Sequence, residues 1–333
     1  MLGATPEYST ETLDIVKESI VVDLLGLLTL DYKKLINWQA KPESFQQQEL
    51  RRLKESGVTI LHPAVGFVRG DVYAESTSDL SRWNRFLAAQ SEHFVRVKTV
   101  DDIVSAKSQN KIGIILGLQN SQHFRTEKDV DLFYGMGQRI SQLTYFNNRL
   151  GGGSTDPNCG LSAYGGAIVK RMNDIGMAID LSHCADKTTL DAMEASAKPV
   201  LFTHSNCRAL TNHGRCKTDE AIRKLAANGG VFGVTLVRPF VRSGGAVTIE
   251  HVLDHVDHIA SVGGIDHVAL GTDVDFDGRE MGRARTSDLD GISYPHKIHA
   301  LVQGFLRRRY SRKDIQLILG GNSRRALKEI WAA

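Results

Sequence analysis

Cysteine is scarce. Four in 333 residues cannot build the dense disulfide framework of a small secreted domain, and they fit a reducing compartment. Charge of one sign is lacking too: 41 Lys and Arg stand against 38 Asp and Glu, a net of +3. Beyond Arg307-Arg308-Arg309 no basic block stands out, so nothing points to nucleic acid as a partner. Long hydrophobic runs are missing. The longest, Ile20 to Leu30, is interrupted by Asp23 and falls short of the roughly 20 apolar residues a membrane-spanning helix needs. Met1 to Asp14 holds no basic stretch leading into an apolar one; no signal peptide is read, and a cytoplasmic protein with no membrane partner is expected. No Gly-rich dinucleotide fingerprint follows the first apolar run, which argues against a Rossmann fold. No linker or low-complexity stretch divides the chain, so one domain over residues 1–333 is expected. With 41% hydrophobic and 24% charged residues, that domain is globular in composition.

Short runs rich in Val and Ile recur eight times: Ile20–Asp23, Val58–His62, Ile112–Gln119, Ile140–Tyr145, Met177–His183, Val200–His204, Val231–Thr235 and Val268–Asp273. Continuous apolar runs of this length read as strands buried on both faces. Between them lie segments of helical spacing, among them Phe45–Ser56, Tyr164–Ile175, Thr218–Ala227 and Ile249–Val262. Glycines at 57, 176, 229 and 263 stand where a left-handed residue would close each of these helices. Strand–helix alternation implies a parallel sheet with right-handed crossovers. Eight such units predict a closed (β/α)8 TIM barrel, with 31–47 as an insertion near the first strand.

In such a barrel, chemistry gathers where strands run out into loops. The exits here carry Asp23, His62, Gln119, Tyr145, His183, His204, Thr235 and Asp273. His183 and His204 end neighbouring strands, so their imidazoles are expected to meet, and neutral imidazole is a common zinc ligand. Asp273 ends the eighth strand beside the first, where a carboxylate suits metal binding or proton transfer to water. Asp23 suits a turn cap equally well, and His62, before Pro63, a turn. Cys184 and Cys207 read as buried inert thiols. His251, His255 and His258 share a face of an outer helix without a His-Glu-x-x-His pattern, and that face is expected to be solvated.

Several stretches, in this order, resemble the renal or membrane dipeptidases, zinc enzymes with an amidohydrolase-type barrel. They are Gly160-Leu-Ser-Ala-Tyr-Gly, Val169-Lys-Arg-Met-Asn-Asp-Ile-Gly-Met-Ala-Ile-Asp-Leu-Ser-His183 and Thr203-His204-Ser-Asn-Cys-Arg-Ala-Leu. Gly229-Gly-Val, Gly264-Ile-Asp-His-Val-Ala-Leu-Gly-Thr-Asp273 and Leu319-Gly-Gly-Asn322 follow. The resemblance implies a zinc pair bridged by a glutamate, with His183 and His204 as ligands of the second ion. It implies Asp273 as the aspartate that assists the attacking water, with Asp275 and Asp277 close behind it in sequence. Arg215, in Asn-His-Gly-Arg, matches an arginine that holds the substrate carboxylate; Tyr145 and Asn147 would line the pocket. A dipeptide or small amino-acid derivative is the implied substrate, and a homodimer the implied assembly.

The chain departs from that pattern at the first metal. Where the family has Asp-Gly-His-x-Asp, it reads Asp23-Leu24-Leu25-Gly26-Leu27, and where Gly-Leu-Glu is expected it has Gly117-Leu118-Gln119. Leucine offers a metal nothing, and a neutral amide cannot bridge two dications well. The expectation is a divergent, dipeptidase-like amide hydrolase with one zinc held by His183, His204 and a weaker oxygen from Gln119 or Asp273. Two rivals stay open. One is metal-free acid–base chemistry by His183, His204, Asp23 and Asp273 in an isomerase, lyase or tailoring reaction on a small carboxylated metabolite. The other is a pseudoenzyme that binds without turnover.

Overall fold

The computed structural model describes residues 7–276, 288–292 and 294–332. Ten short strands, all paired in parallel, form its sheet: β1 (Val22–Asp23), β2 (Ile60–Leu61), β3 (Phe94–Val97), β4 (Ile112–Ile115), β5 (Gly117–Leu118), β6 (Ile140–Gln142), β7 (Ala178–Asp180), β8 (Leu201–Ser205), β9 (Val231–Val234) and β10 (Val268–Leu270). Their order is β3-β4-β2-β1-β10-β9-β8-β7-β6-β5. The order closes on itself from β4 to β5, leaving β3 outside, because β4 and β5 are consecutive pieces of one strand parted at Leu116. Val65, beyond β2, bridges Leu118 in parallel, and the Arg139 N–H at the foot of β6 donates to the Leu116 carbonyl at 2.8 Å. The ring therefore closes through eight staves, with β4 and β5 acting as one, and the (β/α)8 barrel is confirmed.

All eight predicted runs become staves. The strand with no counterpart in the sequence reading is β3, which pairs with β4 along its whole length. Its Phe-Val-Arg-Val is buried at both ends and half-buried at Val95 and Arg96, and Arg96 breaks the apolar run by which the other strands are recognised. Helices occupy Gln47–Glu55, Ala163–Ile175, Asp219–Ala227 and Ile249–Gly263, close to the predicted spans. Gly57, Gly176 and Gly229 take positive φ of 81°, 73° and 80° at the ends of the first three. At the fourth, Gly263 stays in the last turn and Gly264 takes the positive φ. The 31–47 segment adds a helix, Tyr32–Ala40, anchored through the buried Trp38 ring, which sits edge-on to Phe45 at 5.0 Å.

One expectation about the outer helices is corrected. His255 is fully buried, not solvated: its Nδ1 accepts from the Cys207 N–H at 3.1 Å and its Nε2 donates to the Val241 carbonyl at 2.9 Å. The loop after β8 packs onto that helix and consumes both ring nitrogens. His251 bonds locally, to Thr248, and His258 reaches Asp219 at the start of the preceding long helix. Cys184 and Cys207 are buried as expected, and burial raises both thiol pKa values.

Candidate metal and hydrolase site

β7 and β8 run side by side and deliver His183 and His204 to one point at the exit end of the ring. Their Nε2 atoms stand 3.0 Å apart, with ring centroids 5.0 Å apart. Two nitrogens at ~2.0–2.1 Å from a tetrahedral zinc stand roughly 3.3 Å apart, so the pair is close to chelating spacing.

A buried relay fixes the His204 tautomer. The Thr203 hydroxyl donates to Asp180 Oδ2 at 2.7 Å, so its oxygen is left to accept from His204 Nδ1 at 2.8 Å. The proton therefore lies on Nδ1, and Nε2 faces His183 as a bare lone pair. Ser182 Oγ and the Thr203 N–H also bond Asp180 Oδ1. Carboxylate-backed partners of this kind orient a ligand imidazole and raise its basicity. The backbone just beyond β10, two strands along from β8, crowds in at this level: a Cβ on Gly271 would stand 1.6 Å from the Thr203 carbonyl, so only glycine fits there. Burial, and then the Arg215 charge, push both imidazole pKa values well down. Both histidines are accordingly neutral.

Around the pair stand Tyr145, Arg215 and Asp273. The Tyr145 ring stacks on His183 at 4.1 Å and 25°. Arg215 is buried; its guanidinium donates to the carbonyls of Ser182 and His204, and its Nε–H has no partner among the described residues. Asp273 adopts the left-handed conformation, φ 56°, with its N–H on the Leu25 carbonyl at 2.7 Å. Burial and the nearby Asp23 charge raise its carboxyl to about 7, against the opposing pull of Arg215 and Lys297. A carboxylate with that proton affinity suits a general base near neutrality.

The β1 side of the ring is different in kind. Leu25 and Leu27 are buried, and Leu27 bridges Asp275. Asp23 is fully buried: besides a backbone hydrogen bond from Leu25, two residues on, it accepts the Thr272 N–H at 2.8 Å and the Thr272 hydroxyl at 2.6 Å. The Lys297 ammonium lies 3.7 Å from Asp23 Oδ2 and donates to Thr272 Oγ1 and the Val274 carbonyl. Gln119 donates its amide to the Ala64 carbonyl at 2.9 Å. Asn147 is exposed, with its carbonyl on the Gly153 N–H and its amide on Asp156; it braces its own loop. Asp277 lies outside the described residues.

His183 and His204 thus offer two neutral nitrogen donors to a small cation, while Leu25 and Leu27 on the β1 side offer none. Among the described residues no group of three or more His, Cys, Asp or Glu converges as a metal cage. The sequence reading missed the partners that organise the site. Asp180 and Thr203 lie inside the stretches that held the histidines. Lys217, which donates to Cys184 O and Thr189 and whose burial lowers its pKa to about 8, and Lys297 carried no recognisable signal.

The fold and the paired imidazoles define a (β/α)8-barrel protein with a histidine pair at its strand exits. Residues 10–333 match the sequence family described as membrane dipeptidase (peptidase family M19), and the chain belongs to that family. It is 33% identical over 243 residues to an uncharacterised dipeptidase of Schizosaccharomyces pombe, covering 70% of this chain and 57% of that one. To dipeptidase verJ of Clonostachys rogersoniana it is 32% identical over 245 residues, 72% of this chain and 61% of the relative. These matches thus take in about three-fifths of each relative's length. Among solved structures, an amidohydrolase from Pseudomonas aeruginosa superposes with a TM-score of 0.83 at 24% identity, covering 97% and 99% of the two chains. A Rhodobacter sphaeroides metallopeptidase liganded with a phosphinate mimic of L-Ala-D-Ala gives 0.79 at 21%, covering 94% and 100%. Both likenesses establish the fold. Among the described residues no helix is long and apolar enough to cross a membrane.

Proposed function

We propose that the protein is an amide hydrolase acting on a dipeptide or small amino-acid derivative with a free carboxylate, assisted by one divalent cation, zinc by preference, held by His183 and His204. The observation that carries this reading is the 3.0 Å approach of two neutral imidazole nitrogens with an Asp of raised proton affinity and a buried, incompletely paired arginine beside them. Bound there, a zinc ion polarises a carbonyl and acidifies water. Asp273 takes the proton of the attacking water and returns it to the departing amine. Arg215 offers Nε–H to the substrate carboxylate, a charge-assisted contact that fixes which end enters. Family membership and the dipeptide mimic described for the R. sphaeroides metallopeptidase support this substrate class. A homodimer belongs to the same proposal, and sedimentation checks it.

The test is a panel of dipeptides and N-acyl amino acids against zinc-loaded and chelator-stripped protein. Hydrolysis that needs metal, and that weakens chiefly through KM in Arg215→Met, is the expected result. Turnover undiminished by exhaustive chelation would instead favour metal-free acid–base chemistry. That second reading draws support from the direct hydrogen-bond distance between the imidazoles and from the lack of a three-ligand cage among the described residues.

A further inference from the structure

We infer that the Tyr145 hydroxyl is the donor that meets the oxyanion of the tetrahedral intermediate, doing the work a second cation does where two metals clamp the reacting carbonyl. The inference rests on the hydrolase reading above and adds to it a residue and a role.

Three observations lead to it. The β1 side cannot hold a second ion, because Leu25 and Leu27 are aliphatic and the Lys297 ammonium already faces Asp23. Charge that develops on the carbonyl oxygen therefore needs a donor from the chain. Among the other polar groups expected at the site, His62 donates from Nδ1 to the Leu24 carbonyl at 2.6 Å, which leaves its buried, unpartnered Nε2 an acceptor and not a donor. Arg215 Nε–H is reserved for the substrate carboxylate, and the remaining donors are committed. Gln119 Nε2 donates to Ala64, Asn147 holds its loop, and two arms of Arg215 hold the Ser182 and His204 carbonyls. Tyr145 is not committed: its hydroxyl has no hydrogen-bond partner among the described residues, while Asp273 and Arg215 lie within electrostatic reach of it.

The ring is held for this task. It stacks on His183 at 4.1 Å, meets Phe146 edge-on at 5.1 Å, and backs onto Gly66, where a Cβ would stand 2.7 Å from Tyr145 Cδ2. A donor fixed before the reaction stabilises developing charge without reorganising. An ordinary phenol, which titrates near pH ~10, keeps its proton at neutral pH.

The step balances as follows. The water oxygen bonds to the carbonyl carbon, the C=O π pair moves onto the carbonyl oxygen, and Asp273 takes the water's proton. Tyr145 donates a hydrogen bond to that oxygen and keeps its own proton. When the pair returns, the C–N bond breaks and the amine leaves with the proton from Asp273.

The test compares zinc-loaded wild type with Tyr145→Phe, which keeps the ring and removes the donor. Calorimetry measures a phosphinate dipeptide, whose tetrahedral oxygens imitate the intermediate, and the corresponding ordinary dipeptide under conditions that prevent turnover. The expected result is a ~10–100-fold loss of phosphinate affinity with the ordinary dipeptide changed less than about two-fold, and kcat lowered at unchanged KM. Gly66→Ala, which pushes the ring aside and leaves the hydroxyl present, is expected to show the same selective loss. Unchanged phosphinate affinity in Tyr145→Phe, or equal loss for both ligands, overturns the assignment and leaves the hydrolase reading standing. Wild type that does not prefer the phosphinate overturns both.

Discussion

Lys297 and Asp23 face each other at 3.7 Å across the seam between β1 and β10, with neither side chain exposed to solvent. Thr272 joins them: its hydroxyl donates to Asp23 Oδ2 and accepts from the ammonium. The Lys297 ammonium also lies 3.7 Å over the Phe276 ring. A cation that belongs to the chain therefore supplies positive charge on the side of the barrel where Leu25 and Leu27 are aliphatic and Asp23 is already paired.

Removing one partner of such a pair leaves a buried charge uncompensated. Lys297→Met is expected to cost about 3–5 kcal/mol. Urea denaturation would show a lower midpoint at unchanged slope, and neutralising Asp23 as well, in Asp23→Asn, should recover part of the loss. A single variant as stable as wild type would mean that Asp23 is already protonated in the folded protein.

Asp273 ties activity and stability to pH in opposite directions. Its folded pKa is raised to about 7 from an ordinary value of 3.8. The group's stabilising contribution is thus full below about pH 4 and is lost as pH rises through 7. The base form needed for hydrolysis appears over the same upper range. Asp273→Asn, tolerated at a positive φ, should melt close to wild type at pH 4 and above it at pH 8, with hydrolysis abolished. Parallel melting curves at the two pH values would refute the raised pKa.

Thr203 is predicted to matter for metal affinity though it cannot reach the metal position that His183 and His204 define. Thr203→Val removes the hydroxyl between His204 Nδ1 and Asp180. Loss of such an outer partner typically costs about 10–100-fold in metal affinity, measurable by competition with a chromophoric chelator. Unaltered affinity would show that the ring is oriented by packing alone.

Much of this was legible in the sequence, for physical reasons. The eight staves are buried on both faces, so each shows as an unbroken apolar run; β3 carries Arg96 and does not. His183 and His204 are legible because neighbouring strands end on them, Leu25 and Leu27 because an aliphatic side chain cannot bind a metal, and Gln119 because a neutral amide bridges two dications poorly. Lys297 was not legible: it opens a helix far along the chain, and nothing local distinguishes a buried ammonium from a solvated one. His255 shares the helical spacing of His251 and His258, and only the loop after β8, folding onto it, decides that it is buried.

The most direct test of the central claim is metal content per chain, by elemental analysis after zinc reconstitution and gel filtration, for wild type and His183→Ala. One equivalent in wild type and none in the variant is the predicted result. Two equivalents in wild type, or none, would contradict the assignment of a single cation to His183 and His204.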